Sequence, residues 1–498
     1  MKSNEITRRA VLVALGTAPL TAMLRPQWAW ADAPAGPPVA RIEPVSETLW
    51  GETVVDPYRW MENPKDAEWE PFMRGQGEYA RRVLDSIPGR KSLAGRIAAL
   101  SGDMPITVEV QTGGGRVFYR KRPGGADSYK LYVRDGLGGE ERLLVDPTAI
   151  KMDGKHVSID WWSASPDGRH VAYGQSPAGS EMATTHVIEV DSGKLLPERI
   201  ERTPFISASW LPDGSGFFYT RLAESAQLGT ADLFRDMVAC LHRLGTDPKS
   251  DRTILTRGLH DAVPLEPFEI PILVAEPSSA YVVALGIGGV RRENPLFTAR
   301  LAEVTTGKPV WQRACEVADE VVGFATRGED LYLLSTRDAT NARVLRTPVA
   351  NPRFADATVV VPEGKTVIEN IVAARDGLYV IEMDGGYNAL RRFDKDGKLT
   401  TAALPFDGAI IGTYANGLED GAWVVATSWL EPYTVLRYDP ATGRAADTGL
   451  SPRPPVDTSR YEAIRTYATA RDGTKVPLSI LARRGLKRDG SNPALVNA

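Results

Sequence analysis

The chain has 498 residues, 43% hydrophobic and 24% charged, an ordinary globular profile with enough length for about three domains and a sizeable core. Formal net charge is -4, with residues 1–31 at +3 and the remainder at -7, which argues against nucleic acid as a partner. Two cysteines and five histidines show no metal-ligand spacing, so no metal and no cofactor is expected.

Residues 1–31 read as a signal peptide. Arg8 and Arg9 stand directly before an apolar run from Ala10 to Leu24. Ala29-Trp30-Ala31 is a small-x-small cleavage site, with Ala31-Asp32-Ala33 as a second. Twin arginines favour the bacterial twin-arginine (Tat) route over a plain secretory signal, and either route delivers the chain to the periplasm or beyond. The run is too short to span a membrane. Residues 32–44 form a linker around the Pro/Ala/Gly stretch Pro34 to Pro38.

Residues 45–104 read as a helical segment. Asn63 is a candidate N-cap with Pro64 at the first helical position. Trp69, Phe72, Met73, Ala80, Val83, Leu84 and Ile87 recur at helical spacing, and Pro88-Gly89 ends the helix. Leu93, Ile97 and Leu100 mark a shorter second helix. Such a stripe needs an apolar surface, either the segment that follows or a further domain.

Over 105–455 the pattern changes to short strands with turn punctuation. Trp162-Ser-Ala-Ser-Pro-Asp-Gly-Arg-His-Val-Ala-Tyr173 resembles Ser209-Trp-Leu-Pro-Asp-Gly-Ser-Gly-Phe-Phe-Tyr219. Weaker echoes put a turn before an apolar strand at Gly114, Pro277, Gly328, Asp376-Gly377 and Asp420-Gly421. Seven such units at a spacing of roughly 40 to 65 residues fit four-stranded propeller blades. Some units read as ending on strands such as His186–Val190 or Val435–Tyr438. The fold class is therefore mainly β: a seven-bladed β-propeller, with two β-sandwiches as the rival. Trp161, Trp162 and Trp210 are expected to fill space between blades, and His170 and His186 to be packing or surface residues. Cys240 and Cys315 could pair, though two buried free thiols is the simpler reading.

Residues 456–498 change again. Tyr461–Tyr467 and Val476–Leu481 alternate as strands around the turn Arg471-Asp472-Gly473-Thr474. Pro493–Ala498 reads as the opening of a third strand, so a domain is expected to begin here without finishing.

With those residues in view, the chain resembles the prolyl oligopeptidase family of serine peptidases. The resemblance rests on Asp56-Pro-Tyr-Arg-Trp60 before amphipathic helices, on Leu211–Thr220 and His242–Thr246 in the third blade, on the turn Thr469–Pro477 and on Asp489–Ala494, all in the family's order. It implies a peptidase that cleaves short peptides, usually after proline, with a serine nucleophile on an α/β-hydrolase domain. It also implies a propeller that keeps large folded proteins out, a helical segment that packs on the hydrolase domain, and propeller ends that lie close together because both feed that one domain. Short peptides would be the partners of such an enzyme; a monomer is expected, without nucleic acid and without a membrane span.

The departure from the family pattern is large. Acyl transfer in such a domain needs G-x-S-x-G, then an acid, then a histidine. No G-x-S-x-G occurs; Gly174-Gln175-Ser176-Pro177-Ala178 comes nearest and lacks the second glycine. His156, His170, His186, His242 and His260 all fall in the propeller region. No catalytic, cofactor-binding or metal residue is therefore assigned, and the hydrolase domain is expected to be truncated and the 498-residue chain inactive by itself. A non-catalytic propeller binding module, or a fragment of an oligopeptidase selecting basic residues, are the alternatives.

Overall fold

The computed structural model describes residues 36–497 apart from 103, 152–153, 206, 290 and 454–455. The signal peptide expected over 1–31 lies outside these residues, as does the start of the linker. The chain divides into two compact units, with the boundary after Ala98.

The first unit opens on a hairpin that the sequence pattern did not suggest. Strand β1 (Val45–Leu49) pairs antiparallel with β2 (Glu52–Asp56) through the turn Trp50-Gly51. Both turn residues have positive φ, 50° and 86°, the mirror-image turn geometry that matches strand twist. Trp60 is buried on a single 3₁₀ turn, Arg59–Glu62, donates its indole N–H to Arg41 O at 2.8 Å and meets the Phe72 ring edge-on. Helix α1 (Trp69–Ser86) starts later than expected, with Glu68 at the N-cap. Asn63 is not that cap: its side chain accepts from Lys65 N, closing a local turn before the helix begins. Gly89, at φ 83°, separates α1 from α2 (Arg90–Ile97) as the Pro-Gly signal required. No residue of α1 is buried.

The second unit is a seven-bladed β-propeller, which overturns the sandwich alternative. Its seven sheets each hold four strands in simple antiparallel order, and each uses one contiguous stretch: 106–145, 157–200, 209–255, 270–315, 321–361, 367–401 and 409–447. We number these blades 1 to 7. The seven turns legible in sequence all fall between the first and second strands of their blades. The strands at His186 and Val435 do not end their units; each is a third strand, followed through Gly193 or Gly443 by a short outer fourth strand. Because each blade has four alternating strands, the chain leaves a blade on the face where it came in. We call that the near face. The far face carries the turns between first and second strands.

Apolar residues pack between neighbouring blades. Trp162 lies in the cluster shared by blades 1 and 2, and Trp161 and Trp210 in that shared by blades 2 and 3. Blade 7 closes on blade 1 through Trp423, Val425 and Val435 against Val110, Val117 and Tyr119. No strand is exchanged in this closure, so the ring is held by side-chain packing and hydrogen bonds. Cys240 and Cys315 are buried and free.

Beyond blade 7, strands Tyr461–Thr469 and Lys475–Arg483 form the expected hairpin around Gly473. The expected third strand is not formed: residues 493–497 have no strand partner, and Leu495 and Val496 are exposed. A strand exists through its ladder, and an apolar pattern alone does not make one.

Candidate functional site

The innermost strand of every blade faces the propeller axis, because a meander sheet twisted around a ring presents its first strand inward. These strands enclose a channel of about 520 Å³. Its wall is mostly small or apolar: Val110, Ala164, Ala208, Val274, Phe324, Ile371 and Ala415 each come from a different blade. Polar groups are few and mainly tied down. Gln111 donates to Trp162 O and accepts from Ala164 N, which joins blades 1 and 2. Ser209 accepts from Ala275 N, which joins blades 3 and 4. The Thr326 and Thr413 hydroxyls and the Trp423 indole N–H have no hydrogen-bond partner. Such a wall suits an extended chain with apolar side chains and is too narrow for a folded domain.

Glu276 is the one carboxylic acid among the described residues lining the channel. It sits where the first strand of blade 4 reaches the far face. Burial pushes its carboxyl up to about 7 against the opposing pull of the Ser278 and Gly417 backbone N–H groups. Sequence reasoning missed Glu276, and only its place at a strand end before Pro277 could have pointed to it.

The near face carries a second recess of about 700 Å³ between blades 6 and 7 and the hairpin. Arg465 of the hairpin pairs with Asp384 at 2.8 Å and donates to Asp384 O at 2.6 Å. Its guanidinium lies 5.0 Å from the centre of the Tyr387 ring. Glu431, Glu462 and Arg484 complete the polar part of the wall.

The histidines singled out in sequence are dispersed. His170 stacks on Trp210, and His186 meets the Gln175 amide at 3.0 Å. Burial, with Arg199 nearby, holds the His186 imidazole below its ordinary range, so it favours the neutral form. His156 meets Ser128 at 3.1 Å, and His260 faces Ile254 O. His242 is fully buried against Asp251 at 2.9 Å, where Tyr219 also donates to the same carboxylate. Ser176, the nearest approach to a nucleophile motif, is buried within strand His170–Pro177, far from the sharp strand-to-helix turn that nucleophile needs. Burial pushes both thiols up, Cys315 to about 12, so neither supplies a thiolate at neutral pH. Among the described residues, no group of three or more His, Cys, Asp or Glu side chains could hold a metal ion, and no helix is long and apolar enough to cross a membrane.

The family described as "Prolyl oligopeptidase, N-terminal beta-propeller domain" matches residues 37–447. The chain belongs to the prolyl oligopeptidase family. The prolyl endopeptidase of Elizabethkingia meningoseptica is 26% identical over 91% of this chain and 62% of its own length. Prolyl oligopeptidase A of Galerina marginata is 25% identical over 93% of this chain and 66% of its own. A solved structure from a study of two prolyl endopeptidases and the role of their inter-domain dynamics superimposes with a TM-score of 0.79 at 28% identity, over 91% of this chain and 65% of that one. The chain thus spans about two thirds or less of the length of the relatives it matches.

Proposed function

We propose that these 498 residues are the substrate-screening part of a prolyl oligopeptidase-type serine endopeptidase, one that cleaves short peptides after proline. The observation that carries this reading is the narrow, mostly apolar channel through a propeller of this family, lined by the first strand of every blade. The near-face hairpin, Tyr461–Arg483, is the start of the α/β-hydrolase domain on which the chemistry takes place. The catalytic serine, acid and histidine belong to that domain and to none of the 498 residues, so this chain alone is inactive. Its working place is the periplasm or the exterior, reached through the twin-arginine segment at Arg8 and Arg9. The enzyme acts as a monomer on peptides.

The test is the coding DNA beyond codon 498, read in three frames, together with an assay of the purified chain. The reading expects a glycine-rich segment, G-x-S-x-G, an acid and a histidine in that order over roughly 200 residues, an ordinary domain's worth. It expects no cleavage of a proline-containing chromogenic peptide by the 498-residue chain. A downstream sequence without any hydrolase pattern would favour a propeller that binds without catalysis. Cleavage blocked by a serine-directed fluorophosphonate would overturn the inactivity.

A further inference from the structure

The far mouth of the channel is crossed by a contact between two blades on opposite sides of the ring. Glu276 and Ser278 belong to the turn after the first strand of blade 4, and Gly417 to the corresponding loop of blade 7, three blades away in a ring of seven. A methyl group in place of the Gly417 α-hydrogen would lie 2.7 Å from Ser278 Oγ, 3.1 Å from Glu276 Cδ, and closer still to Glu276 Oε1. Only a residue without a side chain lets the blade 4 turn approach so near. Glu276 Oε1 is buried there without a hydrogen-bond partner. The two loops are also tied sideways: Gly328 N of blade 5 donates to Ser278 Oγ at 3.2 Å, and Asn416 Nδ2 donates to Thr112 O of blade 1 at 3.1 Å.

We propose that the Glu276 carboxyl, laid across the far mouth against Gly417, is a latch that holds the channel shut while protonated and releases it when ionised. The contact itself is read from geometry; its consequence for substrate passage rests on the channel role proposed above.

Apart from the buried, unpartnered Nη1 of Arg327, the charged groups around the latch are engaged elsewhere. On blade 5, Arg327 pairs loosely with Asp330 at 3.9 Å and lies near the Tyr332 ring. On blade 7, Glu419 accepts from the Thr112 hydroxyl, and Asp420 pairs with Arg375 of blade 6 at 2.8 Å. The rest of the blade 4 turn, residues 277–280, carries no charge. No cationic group acts on Glu276: burial raises it from 4.5 to about 7, against the smaller opposing pull of the Ser278 and Gly417 backbone N–H groups. The sign follows from linkage. A carboxyl held above its solvated value favours the closed state in full below pH 4.5 and loses that contribution as pH rises to about 7. A shift of that size changes the closed-to-open ratio by on the order of a hundredfold.

Backbone amide hydrogen exchange on the full chain, corrected for intrinsic chemistry and read between pH 5 and pH 8.5, tests this without any peptidase activity. Protection of 276–280 and 414–421 should fall together by at least about tenfold as pH rises, while blade strands stay protected. Glu276→Gln should keep both loops protected at every pH, and Gly417→Ala should leave both open at every pH. Flat protection in the native chain, or the same pH response in Glu276→Gln, would overturn the latch. If Glu276→Gln does not fold, the native response decides: loss confined to these two loops supports the latch, and loss spread over the blades refutes it.

Discussion

The Thr107 hydroxyl donates to the Leu450 carbonyl at 2.8 Å, joining residues 343 positions apart. Thr107 lies on the first strand of blade 1, and Leu450 just past the last strand of blade 7. The chain thus leaves the propeller beside the point where it came in, as the sequence reading expected. Because no strand is shared across this seam, closure rests on this bond, on the Thr112 bonds with Asn416 and Glu419, and on the cluster around Trp423. Thr107→Val keeps the shape, removes the donor and strands a buried carbonyl, so we expect a loss of about 1–3 kcal/mol. Urea unfolding measures it. A loss below a few tenths would mean that the Trp423 cluster and the Thr112 bonds close the ring without this one.

Blade 3 holds a buried polar triangle of Tyr219, His242 and Asp251. Asp251 accepts from the Tyr219 hydroxyl at 2.8 Å and meets His242 Nδ1 at 2.9 Å. His242 is wholly buried, and its Nε2 has no partner. Burial, with Cys240 and Asp251 nearby, holds the Tyr219 phenol far above its ordinary range, so it stays a donor. Asp251→Ala orphans two buried groups and should cost about 3–5 kcal/mol, whereas Tyr219→Phe removes one bond and should cost about 1–1.5 kcal/mol. Thermal unfolding of the two variants and of the double variant separates these terms. Equal costs for the two single changes would show that the triangle does not act as a unit.

Gly174 opens the segment that comes nearest to a nucleophile motif, and the structure gives it a different purpose. A methyl group there would lie 2.9 Å from Trp161 Cδ1 and closer to its Nε1. Trp161 is buried and donates to Thr203 O at 3.2 Å. Gly174→Ala should therefore cost about 1–3 kcal/mol by overpacking. Trp161→Phe, which removes the indole ring edge, should recover part of that loss. A neutral Gly174→Ala, measured by its melting temperature, would reject this account.

Why the propeller was legible and its channel was not has a physical reason. The turn after each first strand packs against its neighbour, as where Gly114 N donates to Pro166 O, so only glycine, proline and short polar residues fit and the repeat shows in sequence. The fourth strands, such as Arg142–Val145 and Gln312–Cys315, are short and half exposed, and they leave little pattern. Val45–Asp56 hid its hairpin because all but one of its strand residues are exposed, which erases the alternation that marks a half-buried strand. Glu276 meets Gly417 from 141 positions away, across a ring, and no local pattern can encode that approach.

Arg465 fastens the hairpin to blade 6. Three contacts with blade 6 converge on its guanidinium: the Asp384 carboxylate, the Asp384 carbonyl and the Tyr387 ring face. The approach is close because Gly385, at φ 56°, bears no side chain where Pro477 comes in; a methyl group there would lie 2.9 Å from the proline ring. The pair is partly exposed, so water screens it and its net worth is modest, about 0.5–1 kcal/mol for the ion pair and a similar amount for the ring contact. Arg465→Ala should speed amide exchange across Tyr461–Arg483 by about tenfold and leave the blades and their melting temperature unchanged. Arg465→Lys should recover only part of the protection, because an ammonium cannot serve the carboxylate, the carbonyl and the ring face together. Unaltered exchange in Arg465→Ala would place the hold on the hairpin elsewhere, and a lowered melting temperature would mean that the hairpin supports the propeller itself.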